Sequence, residues 1–234
     1  RRRGTRRRFC ECLYWSMIQL KNLSREFQVG NQVVHALDNI DLEIAEKDYV
    51  SIMGVSGCGK TTLLNILGLL DTPSSGDYIL SGINTSQMND DEMAKIRSTK
   101  IGFIFQSFHL IPRLTAAENI EIPMILAGMS KQVRSEKVNK ALARVNLTDR
   151  SDHRPEQLSG GQRQRVAIAR SIVMEPKVLL ADEPTGNLDS SSGKEIVKLI
   201  EELNAGGLTL IVVTHDKQIG KRSNRVVRLL DGKV

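Results

Sequence analysis

The chain has 234 residues, of which 40% are hydrophobic and 26% are charged, and its formal net charge is +6. This is the composition of an ordinary globular protein with enough apolar residues for one large α/β domain. No apolar run approaches the roughly 20 residues that span a bilayer, so a membrane role would need a partner. Three cysteines give no disulfide framework, and a reducing cytosol is the expected compartment.

The positive charge is concentrated at the start of the chain. Six arginines and one glutamate give the first sixteen residues a charge of +5, which leaves +1 for the rest. Such a tail could bind anionic membranes or bind nucleic acid nonspecifically. We favour a simpler interpretation, in which residues 1–16 are a basic tail that is disordered or not native, because a well-patterned strand begins at Met17. The expected folded body, residues 17–234, is nearly neutral.

Residues 17–42 alternate apolar and polar side chains on both sides of a turn at Gly30 and Asn31. The pattern predicts an antiparallel sheet that precedes the rest of the domain. Phe27 lies in this region. It is either a half-buried strand aromatic or a ring that stacks on a base, and the pattern alone does not decide between them.

A glycine-rich loop follows the apolar run 49–53 and leads into a helical pattern. Residues 54–62 match G-x-x-x-x-G-K-[ST], in which backbone N–H groups converge on phosphate oxygens at the positive end of a helix. Lys60 would reach the β- and γ-phosphates, Thr61 would ligate Mg²⁺, and Thr62 could donate a further hydrogen bond. The residues expected to bind nucleotide in this loop are Gly54, Ser56, Gly57, Cys58, Gly59, Lys60, Thr61 and Thr62.

After this helix the chain returns to the sheet. A dense turn signal at 71–76 precedes a short strand at 78–80 and a polar helix at 90–97. A β-rich run at 101–105 then stops at Gln106. Ligands of α/β sheets bind at the carboxyl ends of the strands, which is where this glutamine lies.

Residues 107–157 contain helical patterns and no strand-like run. Thr115 and Glu118 form a capping-box pattern that begins an apolar helix, and Pro123 must end or kink the first part of that helix. A second helix is predicted at 131–145. We interpret 107–157 as a helical subdomain inserted into the α/β core, because the sheet pattern resumes afterwards.

The sheet resumes after residues 158–162, which lead into a helix predicted at 163–173. Residues 178–183 read as a buried parallel strand that delivers two carboxylates to the edge of the sheet. Asp182 would hold Mg²⁺ through water, and Glu183 is placed to polarise an attacking water as a general base.

The last part of the chain predicts a helix at 191–204, a strand at 208–213 and a strand at 226–230 before a turn at Asp231 and Gly232. His215 follows the first of these strands. It could donate a hydrogen bond to a γ-phosphate or cap the helix that follows, and the residues alone favour the cap.

Together these motifs resemble the nucleotide-binding subunit of an ABC transporter, over about residues 17–234. The most specific motif is Leu158-Ser159-Gly160-Gly161-Gln162, the signature of that family, which ordinary phosphate-loop enzymes lack. The Gln106 loop, the Asp182-Glu183 pair, the D-loop at 187–189 and the switch histidine His215 occur in the family's order. The resemblance implies an α/β fold with a P-loop NTPase core and a mostly parallel sheet, an N-terminal antiparallel β-subdomain and an inserted α-helical subdomain.

The resemblance also implies a mechanism with ATP and Mg²⁺ as cofactors. Two copies would pair head to tail, so that the phosphate loop of one faces Ser159, Gly160 and Gly161 of the other. Glu183 would be the base, and His215 would contact the γ-phosphate. Thr61, Asp182 and Gln106 would hold the metal, with Gln106 also on the water. Further nucleotide contacts are expected from Gln162, Asp189 and Phe27, whose place is often taken by tyrosine in the family.

Residues 180–189, 102–106 and 115–119 resemble the branch of the family that contains bacterial lipoprotein-release and macrolide or antimicrobial-peptide export ATPases. This implies an integral-membrane permease as partner and a location at the cytoplasmic face of the inner membrane. ATP-driven closure of the dimer would then drive export or lipoprotein release. The alternatives are an ATPase that regulates a membrane partner, as in division, and one of nucleic-acid metabolism. Nucleic acid is the less expected partner, because only the arginine tail supports it.

Overall fold

The computed structural model describes residues 16–234, so residues 1–15 of the predicted basic tail lie outside the described part. In this part no helix is long and apolar enough to cross a membrane. The strands are β1 (Ser16–Val29), β2 (Gln32–Ala45), β3 (Tyr49–Met53), β4 (Ser75–Leu80), β5 (Ile83–Asn84), β6 (Ile101–Ile104), β7 (Val178–Asp182), β8 (Thr209–Val213) and β9 (Arg225–Arg228). The α-helices are α1 (Lys60–Leu67), α2 (Asp90–Lys100), α3 (Ala116–Leu126), α4 (Lys131–Arg144), α5 (Gly160–Ile172), α6 (Ser190–Ala205) and α7 (Lys217–Gly220).

The N-terminal strands form an antiparallel sheet, as predicted. β1 and β2 pair across the turn at Gly30 and Asn31, and β4 pairs with the other edge of β1. The sheet order is β2-β1-β4-β5. Sequence analysis missed β5, because a strand of two residues is too short to show an alternating pattern.

The second sheet has the order β6-β7-β8-β3-β9, and every neighbouring pair in it is parallel. Alternate residues of β7 contribute to two different cores. Val178 and Leu180 pack with α1 and the N-terminal sheet, whereas Leu179 and Ala181 pack with the helices of the other face. The sheet is therefore buried on both faces, which explains the uninterrupted apolar runs of its central strands.

Residues 107–157 contain α3, α4 and two 3₁₀ helices, Thr148–Arg150 and Pro155–Gln157. The predicted capping box is present, because the Thr115 hydroxyl accepts from the backbone N–H of Glu118, whose carboxylate accepts from that of Thr115. Pro123 does not end α3, which continues to Leu126. Burial of Ile120 and Met124 in the core stabilises the helix on both sides of the proline.

The helix predicted at 163–173 begins three residues earlier, at Gly160. Two glycines disfavour a helix, but the Ser159 cap outweighs that preference here. α5 packs against both α3 and α4. The boundary of the helical subdomain at residue 157 therefore stays a prediction.

Candidate active site

The carboxyl ends of the parallel strands lie level at one edge of the sheet. Ile52 of β3 pairs with Val213 of β8, which pairs with Asp182 of β7. β6 lies on the far side of β7 and is followed by the loop that contains Gln106. The sheet order thus brings the phosphate loop, His215, the Asp182-Glu183 pair and Gln106 to one edge.

The phosphate loop ends in a helix whose first N–H groups have no partner within the helix. The first i to i−4 bond of α1 runs from the N–H of Leu63 to the carbonyl of Gly59. The N–H groups of Lys60, Thr61 and Thr62 precede this bond, and no side chain caps the helix. Such a terminus binds anions through its N–H groups and its dipole, so it fits a phosphate.

Glycine is required at the start of this helix. Gly59 has a φ of 103°, and a Cβ there would lie 2.4 Å from the carbonyl oxygen of Ala36. Gly57 has a φ of 80° at the exposed tip of the loop, next to Ser56. The two glycines allow the backbone to wrap around a ligand without side-chain interference.

The lysine of the loop lies across it. The Lys60 ammonium donates to the carbonyl oxygens of Gly54 at 2.9 Å and Val55 at 2.7 Å. Cys58 is only 3% exposed, and a Cβ added to Gly54 would lie 2.5 Å from its sulfur. The cysteine therefore packs beneath the loop, and its side chain does not face the phosphate position.

Asp182 is the carboxylate that best fits a metal ligand. Burial raises its pKa, the neighbouring charge of Glu183 raises it further, and the charge of Lys60 lowers it. The Lys60 ammonium therefore favours the ionised form of the Asp182 carboxylate. Mg²⁺ prefers a few protein oxygens together with phosphate oxygens and water. The Asp182 carboxylate and the Thr61 hydroxyl, on the exposed first turn of α1, supply such oxygens.

Glu183 lies just beyond β7 with its carboxylate held by the chain that follows β8. The Thr214 hydroxyl donates to Oε2 at 3.1 Å, and the backbone N–H of His215 donates to Oε1 at 2.9 Å. The Nδ1 atom of His215 lies 2.6 Å from the same Oε1. Thr214 was not predicted as a site residue. It is fully buried, and its only signal in the sequence is a hydroxyl residue between a buried strand and the histidine.

The preference for His215 as a helix cap is wrong. Asp216 caps α7, and its carboxylate accepts from the backbone N–H of Gln218 at 2.7 Å. α7 begins at Lys217, so Asp216 occupies the N-cap position, while the Nδ1 side of the His215 ring faces Glu183. The His215 side chain is 78% exposed, and its Nε2 atom remains available to a ligand.

Gln106 contacts the segment 186–189. Its Nε2 atom lies 3.5 Å from Oδ1 of Asn187, whose Nδ2 donates to the Gln106 carbonyl at 3.0 Å. Asp189 caps α6 by accepting from the backbone N–H and the hydroxyl of Ser192 and from the backbone N–H of Ser191, and these hydrogen bonds hold its pKa below the usual value. The structure therefore joins the Gln106 loop to the predicted D-loop.

The signature residues form a second helix terminus, in which Ser159 is exposed and Gly161 is buried. The Ser159 hydroxyl accepts from the N–H of Gln162, whose side-chain oxygen accepts from the N–H of Ser159. The N–H groups of Gly160 and Gly161 precede the first helical bond. Within residues 16–234 no hydrogen bond joins this terminus to the phosphate loop. The chain thus carries two helix N-termini that pack on different parts of the fold, because Gly160 and Gly161 approach Leu188 and Ser192, whereas Gly59 approaches Ala36.

Phe27 lies on β1 close to the hairpin turn and is 37% exposed. The Arg25 guanidinium carbon lies 4.7 Å from the centroid of the Phe27 ring. The ring is thus a partly exposed strand aromatic, and it has accessible surface on which a base could stack.

The model of the ABC transporter family matches residues 37–186. The ABC transporter ATP-binding protein YknY of Bacillus subtilis (strain 168) is 49% identical over 218 residues, covering 93% of this chain and 95% of YknY. The macrolide export ATP-binding/permease protein MacB of Burkholderia pseudomallei (strain K96243) is 48% identical over 218 residues, and the chain covers 33% of its length. The chain therefore spans about a third of MacB.

Solved structures agree with these sequence matches. The dimeric ABC transporter cassette MJ0796, a protein of Methanocaldococcus jannaschii, superimposes with a TM-score of 0.85 at 46% identity, covering 93% of this chain and 96% of that one. A second structure shows a dimeric post-hydrolysis state of MJ0796 bound to ADP and Pi, at 45% identity and the same TM-score. The chain belongs to the ABC transporter family, and it is an ATP-binding subunit of that family.

Proposed function

We propose that this chain hydrolyses ATP at a site shared between two copies and transmits the resulting motion to a membrane permease. The observation that carries the proposal is the separation of two anion-binding helix termini in one chain. The phosphate loop precedes α1 and packs on Ala36 and Leu229, whereas the signature precedes α5 and packs on Leu188 and Ser192, with no hydrogen bond between the two in residues 16–234. A second copy in head-to-tail orientation would bring one terminus of each kind to each γ-phosphate.

On the phosphate-loop side, the N–H groups at the start of α1 and the Lys60 ammonium bind the phosphates. Thr61, Asp182 and Gln106 would hold Mg²⁺, which neutralises charge on the phosphate oxygens when bound. Binding of the nucleotide would release Lys60 from the carbonyls of Gly54 and Val55. The base of the nucleotide stacks on Phe27.

Glu183 accepts the proton of the attacking water. Its carboxylate is oriented by Thr214 and by both the N–H and the ring of His215. Orientation of a general base within hydrogen-bond reach of its water is the geometric requirement for this chemistry. The outward Nε2 atom of His215 contacts the γ-phosphate.

Closure of the dimer places Ser159, Gly160 and Gly161 of one copy against the γ-phosphate bound by the other. The unpaired N–H groups and the positive end of α5 favour an anion there. Hydrolysis and loss of that phosphate remove the anion, so the interface weakens and opens. Gln162 orients the signature terminus through the capping box of α5, and Asp189 caps α6, the helix beside it.

The permease is expected to be an integral-membrane partner of this ATP-binding subunit. MacB, by its name, combines an ATP-binding part with a permease part, and this chain matches about a third of it. We infer a peripheral location at the cytoplasmic face of the inner membrane, through the permease. Export or lipoprotein release is the favoured process, in keeping with the relatives named for macrolide export.

Reconstitution with the cognate permease in liposomes tests this function. ATP hydrolysis and movement of a solute or lipid between the two sides are measured together. We expect ATP-dependent movement in the wild type, and loss of both readouts in Lys60→Ala because the phosphates lose a charged partner. Hydrolysis without any movement would contradict transport and favour the regulatory alternative. Salt-sensitive binding of nucleic acid by the nearly neutral body would favour the nucleic-acid alternative.

A further inference from the structure

We propose that Arg25 is a positioning residue for adenine recognition, which holds the Phe27 ring in place and is itself fixed by Asp71. The proposal rests on the function proposed above for Phe27. It adds a second layer to the base-binding site, made of a cation behind the aromatic ring and a carboxylate behind the cation.

The first contact lies between Arg25 and Phe27. They lie two positions apart on β1, where the pairing with β2 has an irregular register, and the observed contact places their side chains on the same side of the strand. The distance of 4.7 Å between the guanidinium carbon and the ring centroid is within the range of a cation–π contact. The guanidinium covers one face of the ring. The opposite face is then the one on which a base can stack.

The second contact fixes the guanidinium. Nε of Arg25 donates to Oδ2 of Asp71 at 3.0 Å, and a terminal nitrogen donates to Oδ1 at 2.7 Å. The two side chains are only 22% and 24% exposed. A bidentate pair of this kind sets the plane of the guanidinium as well as its position, and partial burial protects it from water and salt.

Asp71 connects this arrangement to the phosphate-binding helix. Its backbone N–H donates to the carbonyl of Asn65 in α1 at 3.3 Å, and its Oδ1 also accepts from the N–H of Thr72. The phosphate loop lies at the other end of α1. The same helix therefore holds the phosphates at its amino end and anchors the base platform near its carboxyl end, which fixes the distance between the two parts of the nucleotide site.

The opposite role for Arg25 would be to occupy the place of the base and to leave when ATP binds. The two hydrogen bonds to Asp71 oppose such a movement, because a departing guanidinium would leave a partly buried carboxylate without its charged partner. The two roles predict opposite results. Removal of Arg25 weakens ATP binding if the residue positions the ring, and strengthens it if the residue blocks the site.

Calorimetric titration of the full chain with Mg-ATP and with magnesium tripolyphosphate, which has no base, tests the proposal. We expect Arg25→Met to raise the Kd for ATP about threefold to tenfold, because a ring without its cation must be ordered when the base binds, at a cost of up to one cation–π contact. The Kd for tripolyphosphate should be unchanged. Asp71→Asn should act in the same direction. Lys21→Met, at an exposed position of the same strand, is the matched control and should change neither Kd.

The Phe27→Ala variant separates this proposal from the one on which it rests. If Arg25 acts through the ring, Arg25→Met has no further effect on the Kd for ATP once Phe27 is alanine. An unchanged or lower Kd in both Arg25→Met and Asp71→Asn, with a raised Kd in Phe27→Ala, would overturn the positioning role alone. An unchanged Kd for ATP in Phe27→Ala would overturn the stacking role and this inference with it.

Discussion

Glu183 is held more tightly than a surface carboxylate at the end of a strand. Its φ is 43°, a left-handed backbone conformation that is uncommon outside glycine, and its N–H donates to the carbonyl of Val213. Three donors from Thr214 and His215 surround its carboxylate. An uncommon backbone conformation that is held in place by several neighbouring hydrogen bonds is typical of active sites.

The buried hydroxyl of Thr214 gives the first prediction. Thr214→Val keeps the shape of the side chain but removes the donor to Oε2 of Glu183, so the carboxylate is less well oriented toward water. We expect kcat for ATP hydrolysis to fall about tenfold, equivalent to about 1.4 kcal/mol, with the Kd for ATP unchanged. Steady-state kinetics and nucleotide titration measure the two effects. Thr214→Ser, which restores the hydroxyl, should recover kcat; a Val variant as fast as wild type would show that the hydrogen bond is dispensable.

The Asp182 carboxylate should lower the stability of the folded protein at neutral pH. Its pKa is raised in the folded state by burial, so the ionised form is less favourable there than in the unfolded chain. This cost is absent below the unfolded value of 3.8, where both states are protonated, and it is complete above the raised folded pKa.

Asp182→Asn should therefore raise the Tm of the nucleotide-free protein at pH 7 while abolishing Mg²⁺-dependent hydrolysis. The gain in Tm should shrink as the pH falls through the raised pKa toward 3.8. Thermal unfolding between pH 4 and pH 8 measures it. A variant that is less stable than wild type at pH 7 would mean that the Asp182 carboxylate is well solvated or well paired.

At the scale of elements, the phosphate loop is enclosed by β2 and by the turn after β9. The N–H of Gly232 donates to the carbonyl of Cys58, and the Gly232 carbonyl accepts from the N–H of Asp38. On the other side, Ala36 approaches Gly59 so closely that no side chain fits between them. The hairpin that carries Phe27 is thus attached directly to the loop that binds phosphate.

This close approach predicts a difference between two glycines. Gly59 and Gly82 both have positive φ, but a Cβ at Gly82 would meet nothing within 4 Å. Gly82→Ala should lower stability by about 1 kcal/mol, the cost of the left-handed conformation alone. Gly59→Ala should lower stability by more than this and should also weaken ATP binding, because the loop must move away from Ala36. Urea unfolding of the two variants measures the difference, and equal losses would show that the contact with Ala36 is easily relieved.

Local patterns predicted most of the elements. The capping box at Thr115, the strand before the phosphate loop and the helix that follows it depend on neighbouring residues, so the sequence contains their signals. The local pattern did not predict the early start of α5, because two glycines disfavour a helix while the Ser159 cap and the packing on α3 and α4 favour one. Continuation of α3 past Pro123 has the same cause, since tertiary packing outweighs the local preference.

For the molecule as a whole, the edge of the parallel sheet was predictable because each motif followed a strand. The side-chain pairs that complete the site were not predictable from the sequence. Arg25 and Asp71 are 46 positions apart, and Glu183 and Thr214 are 31 apart. No local period relates such residues, and only the strand order brings them together. The connection of Gln106 to Asn187, 81 positions away, is of the same kind.

The assembly of two copies is the central claim at this scale. A site that is split between two helix termini of different chains can be complete only in a dimer, and the relative MJ0796 is dimeric in its solved structures. Glu183→Gln removes the base but keeps the shape of the side chain. We expect this variant to bind ATP, to hydrolyse it at least a hundredfold more slowly, which is the lower part of the range for general-base catalysis, and to remain closed around it.

The most direct test is the mass of Glu183→Gln in solution, measured by gel filtration with light scattering at saturating Mg-ATP. We expect a dimer with ATP and a monomer with ADP, since only ATP supplies the γ-phosphate that both chains bind. The double variant Lys60→Ala and Glu183→Gln is the control and should be monomeric with either nucleotide. A monomeric Glu183→Gln at saturating Mg-ATP, while the wild type hydrolyses ATP, would contradict the shared site.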